Sequence, residues 1–392
     1  MNDKIAARLR AAQSFQDTLN AKAKKANKPP VMVGASDVIE VTRMPTGSPG
    51  LDARLNGGWP VGSFVEIYGP YSSGKSTLAY ATMVETMRRD PNAIVLLIDH
   101  EGSFDPERAA RMIGFDSERF KKIIPESIED VVEIIEAATE QVDEKGRSIF
   151  PLIIVDSIAS IPTRTEMSGE IGDAMMADKA RVMSRAIQRL GGKCLATGVT
   201  VLWVNQIRVK AGFTMGNPEY TPGGEALKYA CWTRVQTRKD TSQKVIDEAG
   251  EIIGQVTKAK IEKNKGSGSL GLAYIQINHV NGLDVGFDVY TAGLAVGAVE
   301  KLPAAFYAME IPGVGTIKEK GKDTFIAAIN AHPSRDAIYD HIVAVAKANK
   351  AALMANDGTL EPIAPEIAVS PADDVAVDLA SAKVEDEDDK AA

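Results

Sequence analysis

The chain has 392 residues, 44% hydrophobic and 25% charged, which fits a soluble globular protein with one large domain and smaller attachments. It has no apolar run long enough to cross a membrane and no secretory segment after the start, and Cys194 and Cys231 match no metal spacing; a cytoplasmic, reducing setting is expected. The net charge of −8 argues against nucleic acid only until its distribution is read: from Glu366 onward nine acids and two bases carry −7, leaving the first 365 residues at −1 and able to hold basic surfaces.

Residues 1–30 read as a basic, alanine-rich helix. Its small apolar positions suit packing on a partner better than a membrane surface or a transit role. "KPPVMVGASDVIEVTR" follows as a linker and short strand, so 1–40 form an N-terminal arm. Residues 41–285 alternate strands and helices. "GSFVEIYG", "AIVLLID", "PLIIVDS" and "VTVLWVNQ" are short apolar runs fit for buried strands. "STLAYATMVETMRR" is a helix without Gly or Pro. In "IEDVVEIIEAATEQVDEKG", Ile128, Val131, Val132, Ile135 and Ala138 share one helical stripe. "MADKARVMSRAIQRLGG" is predicted as a helix closed by its two glycines. This order predicts an α/β fold with a doubly wound, mostly parallel sheet. After residue 230, "CWTRVQTRK", "IIGQVTKAKIEKNK" and "LAYIQIN" are extended without intervening helices, so the sheet is expected to finish antiparallel. Residues 286–355 read as a small α/β module and 356–392 as a disordered acidic tail.

The chemistry starts at "GPYSSGKST", Gly69 to Thr77, with the spacing G-x-x-x-x-G-K-S. Lying between a strand and a helix, such a loop cradles phosphates on backbone N–H groups. Gly69, Pro70, Tyr71, Ser72, Ser73, Gly74, Lys75, Ser76 and Thr77 are therefore assigned to a nucleoside triphosphate, taken as ATP. Lys75 would bridge its β- and γ-phosphates and Ser76 would ligate Mg²⁺. Asp156, ending a buried strand, suits a second hold on the metal through water; the plain alternative is a turn aspartate. In "IDHEGSFDP", Glu101 is the candidate to orient the attacking water, against a solvated loop carboxylate. "VNQIRVKAGFTMGNPEYTPGG" begins with Asn205 and Gln206 where a strand would meet the phosphates. The glycine-rich loop beyond combines Arg208 and Lys210 with Phe213 and Met215, suited to the backbone and base faces of a single strand or, more plainly, to a substrate lid.

The motifs "TGSPGLDARLNGGWPVGSFVEIYGPYSSGKST", "IDHEGSFDP", "IIVDSIAS", "SGEIGDAMMADKAR", "VNQIRVKAGFTMGNPE" and "EKNK", in that order, resemble the bacterial RecA recombinase family over most of residues 40–345. The resemblance implies a RecA-like ATPase core that polymerises head to tail on single-stranded DNA and exchanges strands with a homologous duplex. Single-strand-binding and loader proteins are further implied partners. It makes 1–40 a polymerisation arm and places DNA loops at about 164–178 and 207–222. By position, Glu101 becomes the water-activating carboxylate, Gln206 the γ-phosphate sensor, and Asp105 the adenine-recognising acid. Met176 becomes a base contact; Arg181 and Arg208 become DNA phosphate contacts. Lys263 and Lys265 become cations reaching the neighbouring subunit's ATP, although the residues alone read as a solvated basic strand end.

The chain also departs from the family pattern. Arg108 replaces the adenine-stacking tyrosine, Tyr71 an acidic residue of the interface, and Gln188 an arginine facing DNA. In the second loop, Val209, Lys210, Ala211, Gly212 and Phe213, Ala211 takes the place of the intercalating isoleucine, so Val209 or Phe213 fills that role or insertion is weaker. Two other readings share the core fold: a ring-forming DNA motor of the helicase kind, and an ATP-gated recombination mediator without catalysis. Long filaments on DNA would exclude the first, and intact Lys75, Glu101 and Asp156 argue against the second.

Overall fold

The computed structural model describes residues 3–25, 41–169, 176–209, 219–247, 249–266 and 271–355. Helix α1 (Asp3–Lys25) exposes Ile5, Leu9 and Phe15 and buries Ala23. The predicted linker lies mostly within 26–40, outside the described residues, as does the acidic tail, 356–392. No helix among the described residues is long and apolar enough to cross a membrane. The core opens with β1 (Arg43–Met44), the short helix α2 (Pro49–Leu55) and β2 (Trp59–Pro60), which pairs with β1.

The main sheet then forms in chain order. β3 (Phe64–Gly69) leads to α3 (Lys75–Arg89), β4 (Val95–Asp99) to α4 (Pro106–Arg111), and β5 (Phe120–Ile123) to α5 (Ile128–Glu140). β6 (Leu152–Asp156), α6 (Arg164–Ser168), α7 (Met176–Thr197) and β7 (Thr200–Gln206) follow. A short ladder, β8 (Arg208–Val209) on β9 (Glu219–Tyr220), precedes α8 (Gly224–Ala230). β10 (Thr233–Ile246), β11 (Ile252–Asn264), β12 (Leu272–Asn278) and β13 (Gly282–Leu283) complete the sheet.

Nine strands lie in the order β13-β12-β11-β10-β3-β7-β6-β4-β5. From β10 to β5 neighbours are parallel; from β10 to β13 they are antiparallel. The fold is the expected doubly wound α/β sheet with an antiparallel finish. β3, β4 and β6 are buried along their whole length, as apolar runs in a sheet covered on both faces must be. The predicted stripe of α5 is buried, and Ser127 with Asp130 forms a capping box at its start.

One boundary differs. α7 does not stop at Gly191 and Gly192 but runs through them to Thr197. Buried Leu190 and Cys194 hold its last turns to the sheet, which offsets the roughly 1 kcal/mol that each glycine costs a helix. Gly198, at φ +77°, supplies the stop instead.

The C-terminal region has its own core. α9 (Val285–Val296), β14 (Glu300–Leu302), β15 (Phe306–Ile311), β16 (Gly315–Lys320), α10 (Lys322–Ala331) and α11 (Arg335–Ala355) enclose Phe287, Tyr290, Tyr307 and Phe325. It packs on α2 through α9 and α11. There Tyr339 Oη donates to Asp52 Oδ2 (2.5 Å), and a Cβ on Gly50 would lie 2.3 Å from Asp288 Oδ1. Burial pushes the pKa of Asp52 up to about 7 and that of Asp288 up to about 8. Ser48 and the Gly50 N–H lie close enough to oppose the rise at Asp288, but neither of its oxygens has a partner in hydrogen-bond geometry among the described residues.

A folded pKa above the unfolded one means that folding takes up a proton. The resulting stabilisation is present in acid, below the ordinary carboxylate value, and is lost as pH rises through 7 and 8. Asp288→Asn is therefore expected to raise the melting temperature at about pH 8.5 and to flatten its fall from about pH 6, measured by calorimetry against wild type. An unchanged slope would contradict a neutral buried Asp288.

Candidate active site

The phosphate loop is shaped by its own glycines and by distant strands. Gly74 sits at φ +87°, and a Cβ there would lie 2.4 Å from Ile277 Cδ1. A Cβ on Gly69 would meet Thr237 O at 2.2 Å. At Gly69 a larger residue would have to displace the backbone of β10, and at Gly74 the positive φ strains any other residue while Ile277 would have to turn aside. Ser73 Oγ and Thr237 Oγ1 share a hydrogen bond of 2.8 Å. Gln255 Nε2 donates to Ser72 O (2.9 Å) and Thr257 Oγ1 to Ser73 O (3.3 Å). These three buttresses went unnoticed in the sequence. Their one signal was a pair of uncharged polar residues, Gln255 and Thr257, two apart in an extended run and so on one face.

Lys75 opens α3, largely buried, and Nζ donates to Pro70 O (2.7 Å). Burial lowers its pKa, while Asp156 and then Glu101 favour its charge. Tyr71 stands at the loop tip, 91% exposed. Arg108 Nη2 donates to Thr77 Oγ1 (3.0 Å), which joins α4 to the loop's helix. Asp105 Oδ1 is occupied as the cap of α4, accepting from Glu107 N and Arg108 N.

β3 and β7 are in register from Gly69 to Gln206, and β4 and β6 from Asp99 to Asp156. Four strand ends therefore meet at one crevice, at the carboxyl edge where α/β sheets bind ligands. Asp156 is buried, and its pKa is pushed up to about 6, first by burial and further by Glu101 and Asp99; a hydrogen bond from Ser76 opposes this. A buried carboxylate beside a serine hydroxyl, in surplus negative charge, is the oxygen donor set that Mg²⁺ takes together with substrate phosphates. Ser76 and Asp156 fit that ion.

Asp99 is a fastener: its oxygens accept from Gly102 N (2.9 Å), Phe104 N (3.2 Å) and Lys122 Nζ (2.8 Å). This turn carries Glu101, whose Oε1 accepts from Ser157 Oγ (2.5 Å) and Gln206 Nε2 (2.9 Å). Ser157 also escaped sequence reasoning. Asn205 and Gln206 do not both face the crevice. Strand alternation turns Asn205 inward, where Nδ2 donates to Glu66 Oε1 (2.8 Å) and Pro222 O (2.9 Å). Arg234 pairs with the other oxygen of Glu66 (2.5 Å), so an ion pair around the buried glutamate ties β3, β7 and β10 together.

Beyond Gln206, Arg208 Nη2 donates to Ala159 O (3.2 Å), and Val209 is exposed. The β8–β9 pair closes the base of the second loop. Lys179, on the first turn of α7, lies close enough to Arg208 to feel its charge, although burial is the larger cause of its lowered pKa. Arg181 is exposed, 3.8 Å from Asp178. The roots of both expected DNA loops therefore converge. Met176 begins α7. Lys210, Ala211, Gly212, Phe213 and Met215 lie outside the described residues, as do 170–175 of the first loop.

Lys263 and Lys265 are not at this crevice. Lys263 Nζ donates to Lys228 O (2.6 Å) and Tyr229 O (2.9 Å), and Lys265 Nζ to Ala230 O (3.4 Å). Both cations sit on the last carbonyls of α8, where helix geometry favours positive charge. Thr257, which touches the phosphate loop, is six strand residues from Lys263, roughly 20 Å at the usual rise.

A family model described as the RecA N-terminal domain matches residues 13–284. Protein RecA of Thermus thermophilus is 35% identical over 313 residues, 79% of this chain and 88% of that protein. Protein RecA of Mesorhizobium japonicum is 35% identical over 276 residues, 70% and 72% of the two chains. A crystal structure of the RadB recombinase overlaps at a TM-score of 0.46 with 26% identity, covering 61% of this chain and 98% of that one. A family match across more than half the chain, with relatives 35% identical over more than two thirds of their length, makes this chain a member of the RecA family.

Proposed function

We propose that the chain is an ATP-dependent DNA recombinase that assembles on single-stranded DNA and uses ATP hydrolysis to release it. The observation that carries this is the 2.9 Å contact between Glu101 Oε1 and Gln206 Nε2. Glu101 sits where a water could be oriented toward a γ-phosphate. Gln206 is the last residue of β7, just before the segment holding Arg208 and Val209. A hydrogen bond joining them supports a direct link between the state of the nucleotide and the position of a DNA loop.

In this reading the backbone from Gly69 to Thr77 binds the phosphates and Lys75 neutralises them. Ser76 and Asp156 would hold Mg²⁺, which when bound offsets charge on the transferring phosphoryl group. Glu101 takes the proton of the attacking water, with Ser157 and Gln206 fixing its carboxylate. Lys263 and Lys265 are too far along β11 to serve their own chain's loop, which supports a role toward a second copy. The site is then completed head to tail.

Glu101→Gln tests the assignment. Glutamine keeps an acceptor for Gln206 and Ser157 but cannot take a proton. The variant is expected to bind ATP and DNA like wild type, to hydrolyse at least about a hundredfold more slowly, and to form longer-lived DNA complexes. Wild-type turnover would assign the base elsewhere.

A further inference from the structure

A cavity of about 470 Å³ lies between α3, the end of α4, the β12–β13 turn and the first residues of α9 and α11. It contains none of the phosphate-loop residues. Its lining holds two acids, and both are already satisfied. Glu85 accepts from Arg88 and Arg89. Asp284 Oδ1 accepts from Phe287 N (3.0 Å) and Asn330 Nδ2 (2.9 Å), and Oδ2 from Gln276 Nε2 (3.1 Å).

The bases of the lining are not satisfied. Arg335 makes no hydrogen bond or ion pair among the described residues, and its Nε is shut from solvent without a partner. Burial lowers its pKa and outweighs the attraction of Glu85 and Asp336, neither of which comes within ion-pair distance. Arg111, exposed at the end of α4, is likewise unpaired among the described residues. The Asn278 carbonyl oxygen accepts from Val280 N and Asn281 N, which leaves its amide N–H groups for another acceptor. Arg335 also begins the 21-residue helix α11, whose N-terminus favours negative charge.

The Arg335, Arg111 and Asn278 groups left unmet are all donors, and they come from three separate elements, α11, α4 and β12. A ligand must therefore offer acceptors on several sides. A tetrahedral phosphate does so, and the planar fork of arginine matches it. We propose that this cavity binds a small phosphate-bearing anion between Arg111 of the core and Arg335 of the C-terminal helices. Such a ligand would clasp the two parts of the chain together, since Met112 beside Arg111 and Ile338, a turn beyond Arg335, belong to different hydrophobic cores.

Equilibrium dialysis of inorganic pyrophosphate against the full chain tests this. Two equivalents per chain are expected: one at the phosphate loop and one in the cavity. Lys75→Ala should retain one. Arg111→Gln should also retain one, with the second weakened by at least about tenfold on loss of a charge-assisted contact. Arg111 is exposed, so this variant does not risk the packing that Arg335→Gln would. In the Lys75→Ala chain, displacement of pyrophosphate by ADP at lower concentration than by phosphate would mark the ligand as a nucleotide. The reverse order would mark it as an inorganic phosphate, and either supports the site. A single equivalent on wild type, unaffected by Arg111→Gln, would overturn it. The Arg111→Gln count does not depend on what Lys75 does, so failure of the cavity and failure of the nucleotide reading are distinguishable.

Discussion

Lys75→Ala is expected to abolish nucleotide binding and, with it, high-affinity binding to single-stranded DNA. Lys75 is the one cation among the groups that set the charge of Asp156, which otherwise feels Glu101 and Asp99. Removing it leaves Asp156 and Glu101 beside the incoming phosphates without the lysine that offsets their charge. Loss of the charge-assisted bonds alone is worth about 3 kcal/mol, a hundredfold in affinity. The added repulsion deepens the loss. The fold should survive, because the lysine is held only through Pro70 O and is itself desolvated. Titration with a fluorescent nucleotide, followed by DNA binding with and without ATP, checks both halves. Undiminished strand exchange by this variant would end the ATPase reading.

The second large effect is expected from Lys263→Ala with Lys265→Ala. Each lysine rests on carbonyls of α8, so removing them leaves three backbone acceptors to water at about 1 kcal/mol each, tolerable for a chain of this size. ATP binding by dispersed subunits should persist, since both lysines rest on α8 and neither touches the phosphate loop. DNA-stimulated hydrolysis should fall by about a thousandfold or more, the scale of a trans-acting cation at a transferring phosphoryl group. Mixing with Lys75→Ala subunits should restore only part of the activity. Only junctions that take the cradle from the double variant and the lysines from its neighbour are complete. Wild-type hydrolysis by the double variant on DNA would remove the shared site.

Much of this site was legible because its signals are local. Gly69, Gly74, Lys75 and Ser76 lie within one loop; Asp156 closes an apolar run fit for a buried strand, and Glu101 follows another by two residues. The stripe of α5 followed from spacing alone. What stayed hidden depends on residues far apart in the chain. Thr237, Gln255 and Thr257 brace the phosphate loop across more than 160 residues. The Glu66–Arg234 pair joins strands that are neighbours only once β10 lies beside β3. The continuation of α7 past Gly191 depends on the sheet beneath it, which no helix propensity contains. Asn205 was within reach: strand alternation alone turns it away from Gln206.

The most direct test is the rate of ATP hydrolysis by the purified chain, measured without DNA and with single strands of increasing length. If Glu101, Gln206 and the second loop form one device completed by a neighbouring copy, turnover should be slow alone. It should rise with protein concentration on DNA and reach its full value only on strands long enough to seat several subunits. A rate that is the same with and without DNA, or that is already maximal for an isolated subunit, would contradict the account.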